Sequence, residues 1–303
     1  MDYHKLIYER GCPKIPENPI FCHPTNQNKL NVYNWLENIP GIKDENRIVE
    51  IRFKNNRKEY FENPKRLRLD PGYVVAVEAQ KGHDIGIVSL TGPLVFLNMK
   101  KRGISHHKNP LKKIYRHATN TDLEKWKNAM QKEKKTLIAS RKIIRNLNLK
   151  MKLADIEYQG DNTKATFYYI ADERVDFRTL IKVLAERFKI RIEMRQIGSR
   201  QEASLVGGIG PCGRELCCST FMHKFSSVNT QAARIQDLSL NMQKLTGMCG
   251  KLKCCLNHEL AIYEEARKHL PRLDIPLETK NGRAFFQKAD VLKKVLWYTY
   301  ENS

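Results

Sequence analysis

The spacing of apolar and polar residues divides the chain into stretches of different period. From Arg47 the period is two, with Ile48, Glu50 and Arg52 alternating with Val49, Ile51 and Phe53. Asp70-Pro71-Gly72 marks a turn before Tyr73-Val74-Val75-Ala76-Val77-Glu78, and Lys81-Gly82-His83-Asp84 separates that run from Ile85-Gly86-Ile87-Val88. Short strands punctuated by turns, without a helix among them, predict a small, half-open β-barrel-like module over residues 46–100. The period then lengthens: Leu123, Trp126, Met130, Leu137, Ile138 and Ile144 recur at helical spacing behind Thr121-Asp122-Leu123-Glu124, which reads as a capping box. Alternation returns at Leu147, Leu149, Met151 and Leu153, breaks at Gly160-Asp161-Asn162 and resumes at Ala165-Thr166-Phe167-Tyr168-Tyr169-Ile170. Asp176 is placed as the cap of a helix bearing Phe177, Leu180, Ile181, Leu184 and Phe188, and Ile190, Ile192 and Met194 make a further strand. Residues 118–200 thus read helix-strand-strand-helix-strand, and the fold class is α+β.

The flanks are less regular. Residues 1–45 carry Pro13, Pro16, Pro19, Pro24 and Pro40, which disfavours regular structure and predicts an extended arm. Within it, Asn34-Trp35-Leu36 is expected to be a short helical anchor onto the body or a partner, while Cys12 and Cys22-His23 form too loose a spacing to argue for ligands. Residues 101–117 read as a basic linker, 201–270 as a cysteine-rich segment with short helices, and 271–303 as C-terminal strands or a tail.

Composition bounds the rest. A chain of 303 residues, 41% hydrophobic, can bury a sizeable core divided over two or three modules. No apolar run reaches the roughly eighteen residues of a membrane span, and MDYHKLIYERGCPKIPENP lacks the basic-then-apolar order of a secretory leader, so a cytoplasmic chain without membrane insertion is expected. Lys and Arg number 54 against 33 Asp and Glu, a net charge of +21 that favours polyanionic partners, nucleic acid before acidic protein surfaces. The run KKRGISHHKNPLKKIYRH contains no acid, and Lys100, Lys101, Arg102, Lys112, Lys113 and Arg116 are the candidate contacts for RNA or a partner. A solvated linker is the plainer reading of the same run. Phe167, Tyr168 and Tyr169 beside Lys164 invite base stacking, although an alternating strand puts at least one of its faces in a core.

The densest chemistry lies in the sequence Cys-Gly-basic-x-x-Cys-Cys, which occurs twice: Cys212-Gly213-Arg214-Glu215-Leu216-Cys217-Cys218 and Cys249-Gly250-Lys251-Leu252-Lys253-Cys254-Cys255. Six of the eight cysteines crowd there, and in a reducing compartment this favours thiolate or metal chemistry over disulfides. Glycine after the first cysteine of each box lets the chain curl, and Arg214, Lys251 and Lys253 can offset thiolate charge. Two hooks together supply the four ligands that tetrahedral zinc or an iron–sulfur cluster requires, with one member of each vicinal pair ligating or facing solvent and the other packing inside. Six cysteines that merely pack are the alternative. Gly208-x-Gly210-x-x-Gly213 is not a dinucleotide loop, because Pro211 removes a backbone donor and no strand precedes it. His258-Glu259 lacks the second histidine of a zincin helix, and the Cys-x-x-Cys of a redox dithiol is absent. No active site is visible, and the chain is expected not to be an enzyme.

These residues carry a resemblance. Val206-Gly207-Gly208-Ile209-Gly210-Pro211 leading into the first box, Leu238-Ser239-Leu240-Asn241, the second box with Leu256, Tyr263-Glu264-Glu265 and Leu270-Pro271 resemble the RicT (YaaT) family, which carries the polymerase-suppressor C-terminal domain. Val175-Asp176-Phe177-Arg178, Arg191-Ile192-Glu193 and Gln196-Ile197-Gly198-x-Arg200 are similar to that domain, so the resemblance covers about residues 46–272. It implies a non-enzymatic regulatory subunit of a cytoplasmic complex with RicA-like and RicF-like proteins. That complex carries a 4Fe-4S iron–sulfur cluster and assists RNase Y in messenger-RNA processing. Carried over by position, the ligands are drawn from Cys212, Cys217, Cys218, Cys249, Cys254 and Cys255. A direct RNA-binding protein with a structural zinc is the competing reading. Residues 1–41 and 279–303 match nothing in the family pattern.

Overall fold

The computed structural model describes residues 32, 35, 36, 39, 47–55, 57–104, 110–222, 224–272 and 274–300. Cys12, Cys22, His23 and most of the arm lie outside the described residues. The chain divides into two compact units, Met1–Leu205 and Val206–Ser303.

The first unit begins with β1 (Ile48–Arg52), β2 (Lys58–Glu62), β3 (Val74–Glu78), β4 (His83–Leu90), α1 (Pro93–Arg102) and β5 (Lys112–His117). The strands close into a barrel in the order β1-β2-β5-β3-β4, where a half-open one was expected. The closing strand is β5, which lies within the segment read as a linker. It pairs parallel to β2 through Phe61↔Lys112 and antiparallel to β3 through Val75↔His117. Only Ile114 of its side chains is buried. Backbone hydrogen bonds hold it, so its side chains remain basic and polar. The interior is filled by Val49, Ile51, Phe53, Phe61, Leu69, Val75, Val77, Val88 and Ile114. Gly86 is required by a close approach, since a Cβ there would lie 2.4 Å from Ile51 and 3.1 Å from the Arg52 carbonyl.

Helix α1 corrects the expectation of a module without helices. Pro93 occupies its first turn, Gly103 in the left-handed conformation ends it, and Leu94, Val95 and Met99 cover Ile48, Tyr60 and Leu90. Leu36 of the arm packs on the same cluster, while Trp35 is exposed. Glu50 is consequently buried on the barrel's outer face instead of solvated. It accepts hydrogen bonds from Lys58 (2.8 Å), Tyr60 (3.1 Å) and Asn98 (2.6 Å). Burial pushes the Lys58 ammonium down to about 8, against the raising pull of Glu50.

The α+β layer follows as α2 (Asn120–Asn146), β6 (Lys152–Tyr158), β7 (Lys164–Ile170), α3 (Arg178–Phe188) and β8 (Arg191–Gln196), with the sheet ordered β6-β7-β8. The capping box lies two residues earlier than expected: Thr119 is the N-cap, and Asp122 at the third helical position bonds back to the Thr119 N–H at 2.9 Å. The helix runs to Asn146, so Leu147, Leu149 and Met151 form a turn and β6 starts at Lys152. Phe177, not Asp176, is the N-cap of α3, and the Asp176 carboxylate accepts from the Arg178 N–H at 3.0 Å. Trp126 and Met130 of α2 pack on the barrel wall at Val74, Ala76, Ile85 and Ile87. Further along α2, Ile143 and Ile144 pack over Leu153, Ile156, Phe167, Leu180 and Leu184. One helix, about 40 Å long by its rise per residue, thus serves two cores.

Lys54 and Arg57 complete the joint between barrel and layer. The Lys54 ammonium, 7% exposed, meets Asp155 at 2.7 Å, Glu133 at 3.0 Å and the Ile156 carbonyl at 2.7 Å. Arg57 meets Glu59, Asp84 and Glu157, each at 2.8 Å. Helix α4 (Ser199–Val206) ends this part of the chain.

The second unit holds α5 (Cys217–Thr220), α6 (Thr230–Ile235), α7 (Met242–Leu245) and α8 (Cys255–Lys268), then a three-stranded antiparallel sheet of β9 (Leu277–Thr279), β10 (Gly282–Asp290) and β11 (Val295–Tyr300) ordered β11-β10-β9. Its small core is Ala232, Ala233, Leu245 and Leu256, and the Gln236 amide caps it with a 2.6 Å bond to the Leu256 carbonyl. No helix among the described residues is long and apolar enough to cross a membrane.

Candidate functional site

The two cysteine boxes fold into the same object. In the first, the Gly210 N–H donates to the Arg214 carbonyl (2.8 Å), Gly213 N–H to the Gly210 carbonyl (2.9 Å) and Leu216 N–H to the Gly208 carbonyl (3.0 Å). In the second, Gly247 N–H donates to Lys251 (2.8 Å), Gly250 N–H to Gly247 (3.0 Å) and Lys253 N–H to Leu245 (2.9 Å). Every donor and acceptor of one box is the positional equivalent of its counterpart in the other. Each is a minimal hairpin, bridged at Ile209↔Glu215 and Thr246↔Leu252. Gly213 (φ 76°) and Gly250 (φ 74°) take the left-handed conformation that the tight turn requires and L side chains avoid. Cys212 and Cys249 sit in the two turns, and each vicinal pair lies at the start of a helix: Cys217-Cys218 open α5, and Cys254 is the N-cap of α8 with Cys255 its first residue.

The boxes are neighbours in space. The Sδ of Met248, in the second turn, lies 3.3 Å from where a Cβ on Gly208 of the first would stand. Met248 was not singled out in the sequence, because one apolar residue in a polar turn carries no periodic signal. Cys212, Cys217, Cys218, Cys249, Cys254 and Cys255 are all free thiols. Cys218 is buried at 6% exposure and Cys217 half-buried; Cys254 and Cys255 are both half-buried, and Cys212 is exposed. Burial raises the Cys217 thiol, and Cys254, Cys212 and Glu259 add to the effect. Burial likewise raises Cys255, with Cys217 and Glu259 adding and Lys253 opposing. Thiols from both boxes therefore share one electrostatic neighbourhood. The Lys253 ammonium also holds the Lys244 carbonyl at 2.5 Å, fixing the second hairpin against α7.

No three His, Cys, Asp or Glu side chains among the described residues stand close enough together to hold a metal ion. Each hairpin carries three free thiols and the two touch through Met248, a donor set whose chemistry suits a thiolate-ligated centre only if the side chains are brought closer together. Ligand capture would require deprotonation and side-chain rotation while the hairpins stay in place.

The basic candidates are not brought together as one free patch. Lys100, Lys101 and Arg102 form the last turn of α1. Arg102 points back to buried Glu50 at 3.7 Å, Lys112 pairs with Glu59 at 3.1 Å, and Arg116 is bonded to Asp122. Lys100 and Lys113 are exposed. Phe167 and Tyr169 belong to the core, and Tyr168 on the opposite face donates to Glu157 at 2.8 Å, so the strand offers no row of bare rings for bases.

Three family models match the chain: the PSP1 C-terminal conserved region at residues 112–197, the third domain of PSP1-like proteins at 227–270, and the YaaT C-terminal domain at 278–303. The first begins at the barrel-closing strand. The last covers residues 279–303, which carry no motif of the family resemblance, and so assigns the three-stranded sheet to the family as well. Stage 0 sporulation protein YaaT of Bacillus subtilis is 40% identical over 252 residues, covering 82% of this chain and 88% of that protein. An uncharacterized protein of Schizosaccharomyces pombe is 25% identical over 217 residues, 62% of this chain and 28% of its own length. Protein PSP1 of Saccharomyces cerevisiae is 50% identical over 44 residues, 14% of this chain and 5% of its own. No solved structure matches.

Proposed function

Because the chain belongs to the YaaT family, we propose that it is a non-enzymatic regulatory subunit of a cytoplasmic complex in which its two cysteine hairpins contribute thiolates to a 4Fe-4S cluster. The observation that carries this reading is the pairing of two hairpins with equivalent hydrogen bonds, free cysteines at equivalent positions and direct contact through Met248. Packing alone would not demand equivalence at every donor and acceptor. RicA-like and RicF-like partners would complete the complex, and its role would be to assist RNase Y in messenger-RNA processing. Exposed Ile209, Phe221 and Met248 around the boxes supply an apolar rim suited to partner subunits. The cluster would supply redox- and oxygen-sensitivity; this chain would supply ligands from Cys212, Cys217, Cys218, Cys249, Cys254 and Cys255, on hairpins whose geometry the two left-handed glycines set. The Bacillus subtilis relative is named a stage 0 sporulation protein, which agrees with a regulatory role.

A structural zinc in a directly RNA-binding protein is the second reading, favoured by the two short Cys-containing hooks on separate turns. Anaerobic purification with iron, sulfide and zinc analysis separates the two. Cys212→Ser and Cys249→Ser should each abolish the same bound metal, since each removes one ligand of one centre. If each variant lost about half, the hairpins would be independent sites. Protein that binds neither iron nor zinc, alone or with its partners, would end the proposal.

A further inference from the structure

The C-terminal sheet has two unlike faces. Ala284 and Ala289 are buried together with Val291, and Phe286 and Tyr298 meet edge-on at 6.0 Å on that inner side. The other face presents Phe285 at 40% exposure and Trp297 at 43%. Phe285 is paired with Thr299, two residues from Trp297, and Lys288 is paired with Trp297 itself. Phe285 and Trp297 are therefore diagonal neighbours on one face, with the β-bulge between Phe286 and Lys288 lying between their pairs.

A cation stands beside the exposed tryptophan, and a second lies across the groove from it. The Lys288 ammonium stands 5.8 Å from the Trp297 ring centroid. Trp297, Lys288 and Gln287 form one wall of an open groove of about 750 Å³, and Arg234, Asp237, Leu238 and Ser239 form the other. Neither Lys288 nor Arg234 has an ion-pair partner among the described residues. The nearby acids are already engaged: Asp237 with Arg267 at 3.2 Å, Glu278 with Arg283 at 3.4 Å and Asp290 with Lys293 at 3.8 Å.

We propose that this groove binds single-stranded RNA, with bases stacked on Trp297 and Phe285, phosphates met by Lys288 and Arg234, and ribose hydroxyls met by Gln287 and Ser239. Exposed rings flanked by unpaired cations are the arrangement that holds an unpaired strand, whose bases offer faces and whose backbone offers charge. The chain's net charge of +21 brings such a strand to the surface. The site contains no cysteine, so it stands independently of the metal centre.

The test uses the full chain and labelled oligouridine, with oligodeoxythymidine and polyglutamate as comparison probes. Trp297→Ala should weaken oligouridine binding about five-fold or more, with Trp297→Phe recovering part of the loss. Lys288→Glu should weaken it and lower the salt slope by about one. Thermal unfolding of each variant guards against misfolding, and Trp297→Phe keeps the test valid should the alanine variant fail to fold. Oligouridine binding unchanged in both Lys288→Glu and the tryptophan variants overturns the proposal. So does equal affinity for oligodeoxythymidine, which removes the role of the ribose hydroxyl, or polyglutamate binding with the same variant losses, which makes the face an acidic-protein surface.

Discussion

Gly213 and Gly250 provide a matched perturbation, because alanine at either should cost the same amount for the same reason. Each glycine has φ near 75°, and a Cβ added at either meets nothing within 4 Å, so no steric collision contributes. What remains is the intrinsic penalty of an L residue in the left-handed region, about 1–2 kcal/mol. Local opening of the hairpin should therefore become about 5–30-fold more frequent, at one factor of ten per 1.4 kcal/mol. Amide exchange reads this directly at the Gly210 and Gly247 N–H groups, whose 2.8 Å bonds to Arg214 and Lys251 break when the hairpin opens. Gly213→Ala should accelerate exchange at Gly210, and Gly250→Ala should accelerate exchange at Gly247 by a similar factor. Gly208→Ala forms the contrast: φ is 143° and the new methyl would press on Met248, so its effect should extend to the second hairpin. Unchanged exchange in either matched variant, or factors differing by more than about tenfold between the boxes, would refute the equivalence of the two hairpins.

Lys54→Met leaves Glu133 and Asp155 facing each other without their cation and should cost about 3–5 kcal/mol; calorimetry should show much of this recovered in Lys54→Met/Glu133→Gln, and a single-variant loss under about 1 kcal/mol would mean the joint does not depend on the pair. For Asp122, burial raises the carboxyl, but the bonds from Arg116 and Thr119 outweigh it and hold the group well below the usual carboxylate range. The stability it adds is then present above its unfolded value of about 4 and is lost as pH falls through the folded one. Asp122→Asn should cost about 1 kcal/mol at neutral pH, given that Arg116 is half-exposed, and the deficit should shrink in acid. A deficit independent of pH would assign the loss to packing.

Amphipathic period was enough to determine α2, since Trp126, Met130 and Ile144 must share a side to be buried at all. Period two likewise gave β1, β7 and β8, and the order helix-strand-strand-helix-strand followed. The doubled cysteine sentence was legible for another reason: a hairpin this small is built from local hydrogen bonds, so its glycine and cysteine positions are written consecutively. What depended on tertiary structure was everything non-local. Strand β5 shows one buried side chain in six, and its place in the barrel is decided by backbone bonds to β2 and β3 that no side-chain pattern records. Glu50 reads as a solvent-facing residue until α1 covers it. Arg102 and Arg116 read as free charge until Glu50 and Asp122 are seen beside them. The neighbourhood of the two boxes, and the groove joining Arg234 to Trp297, likewise arise only when distant segments fold together, because charge pairing and ring exposure are properties of what lies nearby in space rather than along the chain.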